Sequence, residues 1–288
     1  MSQLTKKTWV ITGASSGLGL SIAKEALAQG NRVALVCRNT ESVKPLLETY
    51  PNLAKSYTLD ITESIKIKQI ISQISNDFGQ IDVLLNNAGY GLVGSLEEYS
   101  DEQITQCVQT NFFGHVNILR AMLPIMRNQG HGHILNMSAI AGFANEMGFS
   151  IYGASKFALE GLSESIASET RHLGIKVTII EPGPFRTEFI SRSLVKGANP
   201  IEAYERSSGK FFKMLQSISG KQAGCPEKAA KLIVEITEAQ KPPLRLVLGQ
   251  YAVDRFNKKL ETMKQELDFW KEQSLDCDFA PEKIQAVR

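Results

Sequence analysis

The segment Thr8-Trp9-Val10-Ile11-Thr12-Gly13-Ala14-Ser15-Ser16-Gly17-Leu18-Gly19 decides how the chain is read. Thr8–Thr12 is a short β-branched and apolar run of strand character, and Leu18–Gln29 follows with helical spacing. A helix that begins inside a glycine-rich turn aims its free N–H groups and its positive end at a phosphate. Glycine also lets a diphosphate approach the backbone closely. The spacing, G-x-x-x-G-x-G, is one residue longer than the G-x-G-x-x-G of many dinucleotide-binding turns. No Gly-Lys-Ser/Thr follows, so the turn is not a P-loop. A glycine cluster alone says little. Between the first strand and first helix of a βαβ unit, it points to a dinucleotide.

Outward from this turn the alternation continues. Strand-like runs at Arg32–Cys37, Ser56–Leu59, Val83–Asn86, His133–Met137, Lys176–Ile180 and Arg245–Leu248 are separated by helically spaced stretches. Those stretches are Ser42–Tyr50, Ser64–Phe78, Asp101–Asn128, Tyr152–His172 and Glu227–Ala239. Such alternation implies right-handed βαβ units and a parallel sheet covered on both faces. No repeat, low-complexity tract or Pro/Gly/Ser-rich linker divides the chain. One doubly wound α/β domain over residues 1–288 is therefore expected, although 288 residues would allow two. Two stretches break the pattern. Residues 188–225 are long and mixed, with Gly197, Gly209, Gly220 and Gly224. After the last strand, residues 251–274 read as a C-terminal helix. Its Phe256, Leu260, Met263, Leu267 and Trp270, spaced 4, 3, 4 and 3, form a seam that packs on the parent domain or on another subunit.

Composition narrows the function classes. The 32 Lys+Arg against 30 Asp+Glu give a net charge of +2, with no electrostatic footprint for nucleic acid or an anionic membrane. Cys37, Cys107, Cys225 and Cys277 are scattered, which fits neither a zinc ribbon nor a disulfide framework and suits a reducing, cytoplasmic compartment. No apolar run approaches the roughly 18 residues of a membrane span. The N-terminus has no signal-peptide core. His131 and His133 lack acidic or cysteine companions, so a solvated turn is expected there and no metal site.

The end of the second strand bears on which dinucleotide is bound. NAD-binding folds usually place a carboxylate about 20 residues after the glycine turn, on the adenosine ribose. Here the strand ends Leu35-Val36-Cys37-Arg38, with no carboxylate before Glu41. Arg38 can pair with a 2′-phosphate, which favours NADP over NAD.

In order from Thr12 to Thr187, the motifs resemble those of the short-chain dehydrogenase/reductase family, in its compact one-domain branch. Thr12–Gly19 resembles its cofactor turn, with Gly13, Ser15, Ser16, Gly17, Leu18 and Gly19 as cofactor-binding positions. Asn86-Asn87-Ala88-Gly89 resembles its strand-end motif. Asn111, Ser138, Tyr152 and Lys156 look like its catalytic set. Pro182-Gly183-Pro184-Phe185-Arg186-Thr187 resembles the segment that holds the nicotinamide, with Thr187 on the carboxamide. The resemblance implies a Rossmann-type fold in which residues 188–225 form a substrate lid. It also implies that Asp60 and Ile61 lie at the adenine, that Asn87 meets the ribose through its backbone, and that Asn111 anchors a water relaying protons to Lys156. Asp60 also fits a helix N-cap, and Asn86 fits a structural role.

The catalytic set makes physical sense without the family name. Tyr152 and Lys156 are i and i+4 and share one helical face. A free tyrosine, with a pKa of about 10, is too weak an acid to act as a base at neutral pH. A neighbouring ammonium and the positive nicotinamide of the oxidised cofactor would favour the phenolate. Tyr152 would then exchange a proton with a carbonyl or alcohol oxygen as hydride moves, while Ser138 hydrogen-bonds that oxygen and Lys156 holds the nicotinamide ribose. Seven tyrosines and 21 lysines give about 0.5 chance Y-x-x-x-K matches. What raises Tyr152 above chance is Ser138, 14 residues earlier at a strand end.

The expected activity is NADP(H)-dependent interconversion of a carbonyl and a secondary or primary alcohol on a small molecule. Ala141–Phe143, Met147–Phe149, Tyr90, Phe189, Leu194, Phe211 and Phe212 suggest an apolar substrate, whereas Arg186, Arg192 and Lys196 would suit an acidic one. A non-catalytic dinucleotide sensor on the same fold is the alternative, yet all four catalytic positions are filled. Nucleotide-sugar epimerases carry T-G-x-x-G-x-x-G and a larger C-terminal domain, with which this turn and length disagree. The long helices Asp101–Asn128 and Tyr152–His172 resemble those the family uses to build homodimers and homotetramers.

Overall fold

A computed structural model describes residues 6–279. Among these residues the strands are β1 (Thr8–Thr12), β2 (Arg32–Cys37), β3 (Ala54–Thr58), β4 (Val83–Asn86), β5 (Gly91–Val93), β6 (Gly132–Met137), β7 (Ile175–Pro182), β8 (Leu194–Lys196) and β9 (Arg245–Leu248). Seven of them form one parallel sheet in the order β3-β2-β1-β4-β6-β7-β9. Every residue of β1 and β4 is buried, as near-continuous apolar strands at the centre of a sheet covered on both faces must be. Trp9 pairs with Val33 on one side and Val83 on the other, so the strand order reverses between β1 and β4. That reversal opens a crevice at the carboxyl ends of the two strands, where doubly wound sheets bind ligands.

Helices cover the faces. On one side α1 (Gly17–Ala28) packs Ile22, Ala23, Ala26 and Leu27 into the core shared with Ala229, Ala230, Ile233 and Val234 of α9 (Pro226–Ile236). The short α2 (Lys44–Thr49) closes that side near β3. The other face carries α3 (Ser64–Phe78), α5 (His115–Gln129) and α6 (Ser150–Thr170). In α3 the stripe Ile67, Ile71, Ile74 and Phe78 is the helical periodicity of the sequence turned inward. A buried Ile or Leu of this kind contributes roughly 1.5–3 kcal/mol.

Three features depart from the sequence reading. The stretch expected as one helix over Asp101–Asn128 is α4 (Asp101–Val108), a π-helical turn at Gln109–Gly114, and α5. Hydrophobic spacing does not register one widened turn. Residues 188–225 fold into α7 (Phe189–Arg192), β8 and α8 (Lys210–Ser217), with β8 pairing in parallel with β5. Three-residue strands carry no readable alternation. Finally, α10 (Gln250–Leu275) docks only by its first turns, burying Ala252 and stacking Phe256 on Phe143 with ring centroids 4.2 Å apart. From Glu261 to Phe279 every residue is exposed, so the seam does not pack on the parent domain beyond Phe256. No helix among the described residues is long and apolar enough to cross a membrane.

Candidate active site

The residues singled out by motif gather at the carboxyl edge of the sheet. Gly13–Gly19 follow β1, Arg38 follows β2, Asp60 and Ile61 follow β3, Asn87–Gly89 follow β4, Ser138 follows β6, and Gly183–Thr187 follow Pro182 at the end of β7. Parallel strands deliver their carboxyl ends to one side, so residues more than a hundred positions apart meet there.

The glycine turn is tied to its neighbours by backbone and by Thr12. Gly13 N donates to Val36 O at 2.9 Å, next to the end of β2. Thr12 Oγ1 accepts from Asn87 N at 2.8 Å and Ala88 N at 3.1 Å, and Asn87 Nδ2 donates to Thr12 O at 2.9 Å. Gly13 and Gly17 both take positive φ, 67° and 56°, which a side chain at either position would oppose. At Gly13 and Gly19 a Cβ would also press to within 3 Å of Asn87 Nδ2. The first turn of α1 has no side-chain cap from Ser16, so its N–H groups face the crevice free for an anion. Leu18 is half-buried at its start, and Thr187 faces Gly17 from the opposite wall. Arg38 is exposed beside this turn and forms no ion pair among the described residues.

The catalytic positions come from three elements. Tyr152 and Lys156 sit on α6, nearly buried. Ser138 leaves β6, 2% exposed, and its Oγ has no hydrogen-bond partner. Asn111 lies in the π-helical turn, where its amide brackets the Tyr90 backbone, accepting from N at 3.0 Å and donating to O at 2.8 Å. Asn111 Oδ1 and Lys156 Nζ border the same space beside Gly89, where a Cβ would lie 2.9 and 3.7 Å from them. Lys156 Nζ donates to Met137 O at 2.8 Å. Burial lowers the Lys156 ammonium to about 8, against smaller opposing effects of Cys107 and Glu160. Burial also pushes the Tyr152 phenol up from its ordinary value. The expected depression of Tyr152 by Lys156 is thus not produced by the chain alone, where burial and then Cys107 both raise it.

Around the Tyr152 ring stands an aromatic wall. Phe149 is 5.2 Å away between centroids and Phe189 6.1 Å, while Phe211 meets Phe149 edge-on at 5.1 Å. Val93, Ala139, Ala141, Leu194, Phe212 and Leu215 complete this apolar cluster. Phe143 and Met147, read as wall residues, lie elsewhere: Phe143 packs under α10 and Met147 is exposed. Arg186 Nε donates to Gln222 O at 3.1 Å, Arg192 pairs with Glu188 at 3.3 Å, and Lys196 lies 5.3 Å from the Phe212 ring centroid.

Other positions take local roles. Asp60 accepts from Thr62 N and Oγ1 at 2.9 and 2.8 Å, and it does not cap α3, which starts after Glu63. Ile61 packs against Gly114 of the π turn. Asn86 Nδ2 donates to His115 O at 3.2 Å within the core. Gly183 lies against Ala252 of α10, and Phe185 packs on Gly224. Sequence reasoning passed over His115, whose Nε2–H donates to Ala88 O at 2.7 Å and so fixes the strand-end motif. Burial lowers its pKa to about 3. Its place just after Asn111 was the only available signal.

A family model described as short chain dehydrogenase matches residues 7–196. The chain belongs to the short-chain dehydrogenase/reductase family. It is an oxidoreductase of that family, with the sheet and strand order described above. It is 36% identical to a 3-ketodihydrosphingosine reductase of Bacteroides thetaiotaomicron over 244 residues, 83% of this chain and 87% of that one. A solved short-chain dehydrogenase from Streptomyces avermitilis superposes with a TM-score of 0.89 at 37% identity, covering 96% of this chain and 100% of that one. The solved structure of ElxO with NADP bound gives a TM-score of 0.72 at 27% identity, covering 87% of this chain and 100% of that one.

Proposed function

We propose that this oxidoreductase interconverts an apolar carbonyl compound and its alcohol with NADP(H), Tyr152 serving as general acid/base. The observations that carry the reading are a buried Ser138 hydroxyl without a partner and the Tyr152 phenol set in an aromatic wall. A polar atom buried without a partner is costly, by about 1–3 kcal/mol, and a substrate oxygen would satisfy it. Tyr152 stays protonated in its buried setting, ready to donate as a carbonyl is reduced.

The residues present fit a nicotinamide dinucleotide, which supplies or accepts the hydride when bound. The uncapped start of α1, through Gly13, Ser15, Ser16, Gly17, Leu18 and Gly19, would take its diphosphate. Arg38 would pair with a 2′-phosphate, Asp60 and Ile61 would meet the adenine, and Asn87, Ala88 and Gly89 would line the ribose. Pro182, Gly183, Phe185 and Thr187 would hold the nicotinamide end. Lys156, turning from Met137 O, would bind the other ribose and lower the Tyr152 pKa. Because the Asn111 amide is committed to Tyr90, a proton-relaying water would rest on the backbone of the π turn.

Residues 188–225 would act as the substrate lid, since Phe189, Leu194, Phe211 and Phe212 come from them. The wall itself is apolar, with Lys196 over the Phe212 ring at its edge, and this suits an uncharged, apolar substrate. A homodimer or homotetramer through the α4–α5 and α6 faces accords with exposed Phe113 and Phe157 there.

The test is a panel of apolar and carboxylated carbonyls assayed with NADPH, together with Tyr152→Phe. Turnover should favour apolar compounds and fall by about 10²–10⁴-fold in the variant, with NADPH binding retained. Turnover confined to carboxylated compounds would sink the substrate class. Tight NADPH binding with no turnover of any carbonyl would favour the sensor.

A further inference from the structure

We propose that Phe189 is a specificity-determining residue: its ring, seated on Gly91, limits the bulk that a substrate can carry beside the reacting carbonyl. The inference rests on the reading of Tyr152 as acid/base and of Thr187 at the nicotinamide end given above.

The reaction dictates where the substrate's substituents would lie. The carbonyl oxygen belongs at the Tyr152 phenol, and the carbonyl carbon has to face the nicotinamide end of the site. The two groups on that carbon would therefore occupy the space between the phenol and the segment that ends at Thr187. Phe189 stands beside both. Its backbone N donates to Thr187 Oγ1 at 3.3 Å. Its ring centroid lies 6.1 Å from that of Tyr152, with the planes tilted by 51°.

Two aromatic rings flank Tyr152, and they are held very differently. Phe149 is 8% exposed at the start of α6, where its O accepts from Gly153 N at 2.6 Å and its backbone bridges to Gly94. The Phe149 ring also meets Phe211 edge-on at 5.1 Å. Phe189 is half-buried on the four-residue α7, in the segment read as the lid. Of the two, it is the ring whose place depends on its neighbours' side chains.

Gly91 of β5 is what gives that ring its seat. A Cβ at this position would lie 2.6 Å from Phe189 Cζ and 2.7 Å from Leu194 Cδ1, closer than side-chain carbons approach. The backbone has no freedom to retreat. Gly91 N donates to Ser193 O at 2.8 Å, and Gly91 pairs with Leu194 across β5 and β8. Both backbone groups of the preceding Tyr90 are bound by the Asn111 amide. Gly91→Ala must therefore displace the ends of the Phe189 and Leu194 side chains. In this way the missing side chain on β5 and the ring on α7 together set one wall of the site, although 98 positions separate them.

The experiment measures kcat/KM for NADPH-dependent reduction of acetophenone, with a methyl group beside the carbonyl, and of isobutyrophenone, with a branched isopropyl group. The proteins are wild type, Phe189→Ala, Gly91→Ala, the double variant and Met214→Ala. The preference for acetophenone should fall by at least about tenfold in Phe189→Ala. Gly91→Ala should alter the preference while the Phe189 ring is present and leave it unaltered once the ring is removed, because the coupling runs through that ring. Met214, 42% exposed on α8, serves as the control, and Met214→Ala should keep the wild-type preference. Calorimetric titration of the NADPH-loaded protein with the two product alcohols, a combination in which no hydride can move, should show the same relief of bulk in Phe189→Ala. An unchanged preference in Phe189→Ala overturns the proposal, as does an equal change in Met214→Ala or an effect of Gly91→Ala that persists without the ring. Should Phe189→Ala not fold, Phe189→Leu is read the same way. If the wild type reduces no carbonyl, the functional reading fails, and the alcohol titrations still decide whether Phe189 limits bulk at this site.

Discussion

Arg38 closes β2 as an exposed cation beside the glycine turn, where the 2′-phosphate of NADP would lie. Charge-assisted hydrogen bonds are worth about 1.5–3 kcal/mol, so Arg38→Ala should weaken NADPH binding by roughly 10–100-fold and leave NADH binding unchanged. Equal losses for both dinucleotides, measured by fluorescence titration, would refute the NADP assignment. Buried histidines make a second prediction at this scale. Burial lowers both His115 and His133 from 6.5 to about 3. The His133 Nε2–H donates to Thr178 Oγ1 at 2.9 Å, because the threonine hydrogen already goes to Pro243 O. Neutral histidine in the folded state means the unfolded chain binds more protons below pH 6.5. The stability they contribute is thus complete above 6.5 and is lost as pH falls toward 3, at about 1.4 kcal/mol per pH unit for each residue. Urea midpoints of His133→Asn between pH 7 and 4 should fall less steeply than those of the wild type. Parallel curves would show that His133 does not titrate in this way.

Elements place these residues. The π turn at Gln109–Gly114 brings Asn111 onto Tyr90 and starts α5 so that His115 reaches Ala88. The 188–225 segment is tied down by Glu98, whose nearly buried carboxylate accepts from Ser95 N at 2.7 Å, Ile201 N at 3.1 Å and Ser208 Oγ at 2.9 Å. These donors hold the Glu98 carboxyl below its ordinary pKa against the opposing cost of burial. Glu98→Ala strands the donors at a cost of about 2–3 kcal/mol, borne locally. Limited proteolysis should then cut within 188–225 several-fold faster, and KM should rise more than kcat falls. Unchanged cleavage would mean that the β5–β8 pairing and the aromatic cluster suffice to hold the segment.

For the whole molecule, α10 separates body from projection. Leu260, Met263, Leu267 and Trp270 remain 46–64% exposed, so the residues after Lys259 add little to the core. A chain ended after Lys259 should melt within about 2 °C of the full protein and bind NADPH equally well, since surface changes away from packed features rarely exceed 0.5 kcal/mol. Sedimentation of both forms asks whether the exposed stripe joins subunits. A large fall in melting temperature with unchanged mass would mean the helix stabilises the body after all.

The order of elements, the glycine turn, Arg38 and the Ser138–Tyr152–Lys156 spacing were legible in the chain itself. Strand and helix periods follow from side-chain directions two and 3.6 residues apart, and the turn chemistry is local. The four strands over Thr8–Thr12, Arg32–Cys37, Val83–Asn86 and Arg245–Leu248 match their expected bounds for that reason. What tertiary structure alone decided involves partners distant in sequence. It showed that Phe149, Phe189 and Phe211 surround Tyr152 while Phe143 turns away, and that Asn111 is spent on Tyr90. It also showed that Glu160, Glu181 and Arg245 meet, and that α10 leaves the body after Phe256. Local pattern reports which face of an element is apolar. Packing across the parallel sheet chooses what that face meets, and desolvation in that packing sets the charge of Tyr152, Lys156 and Glu181.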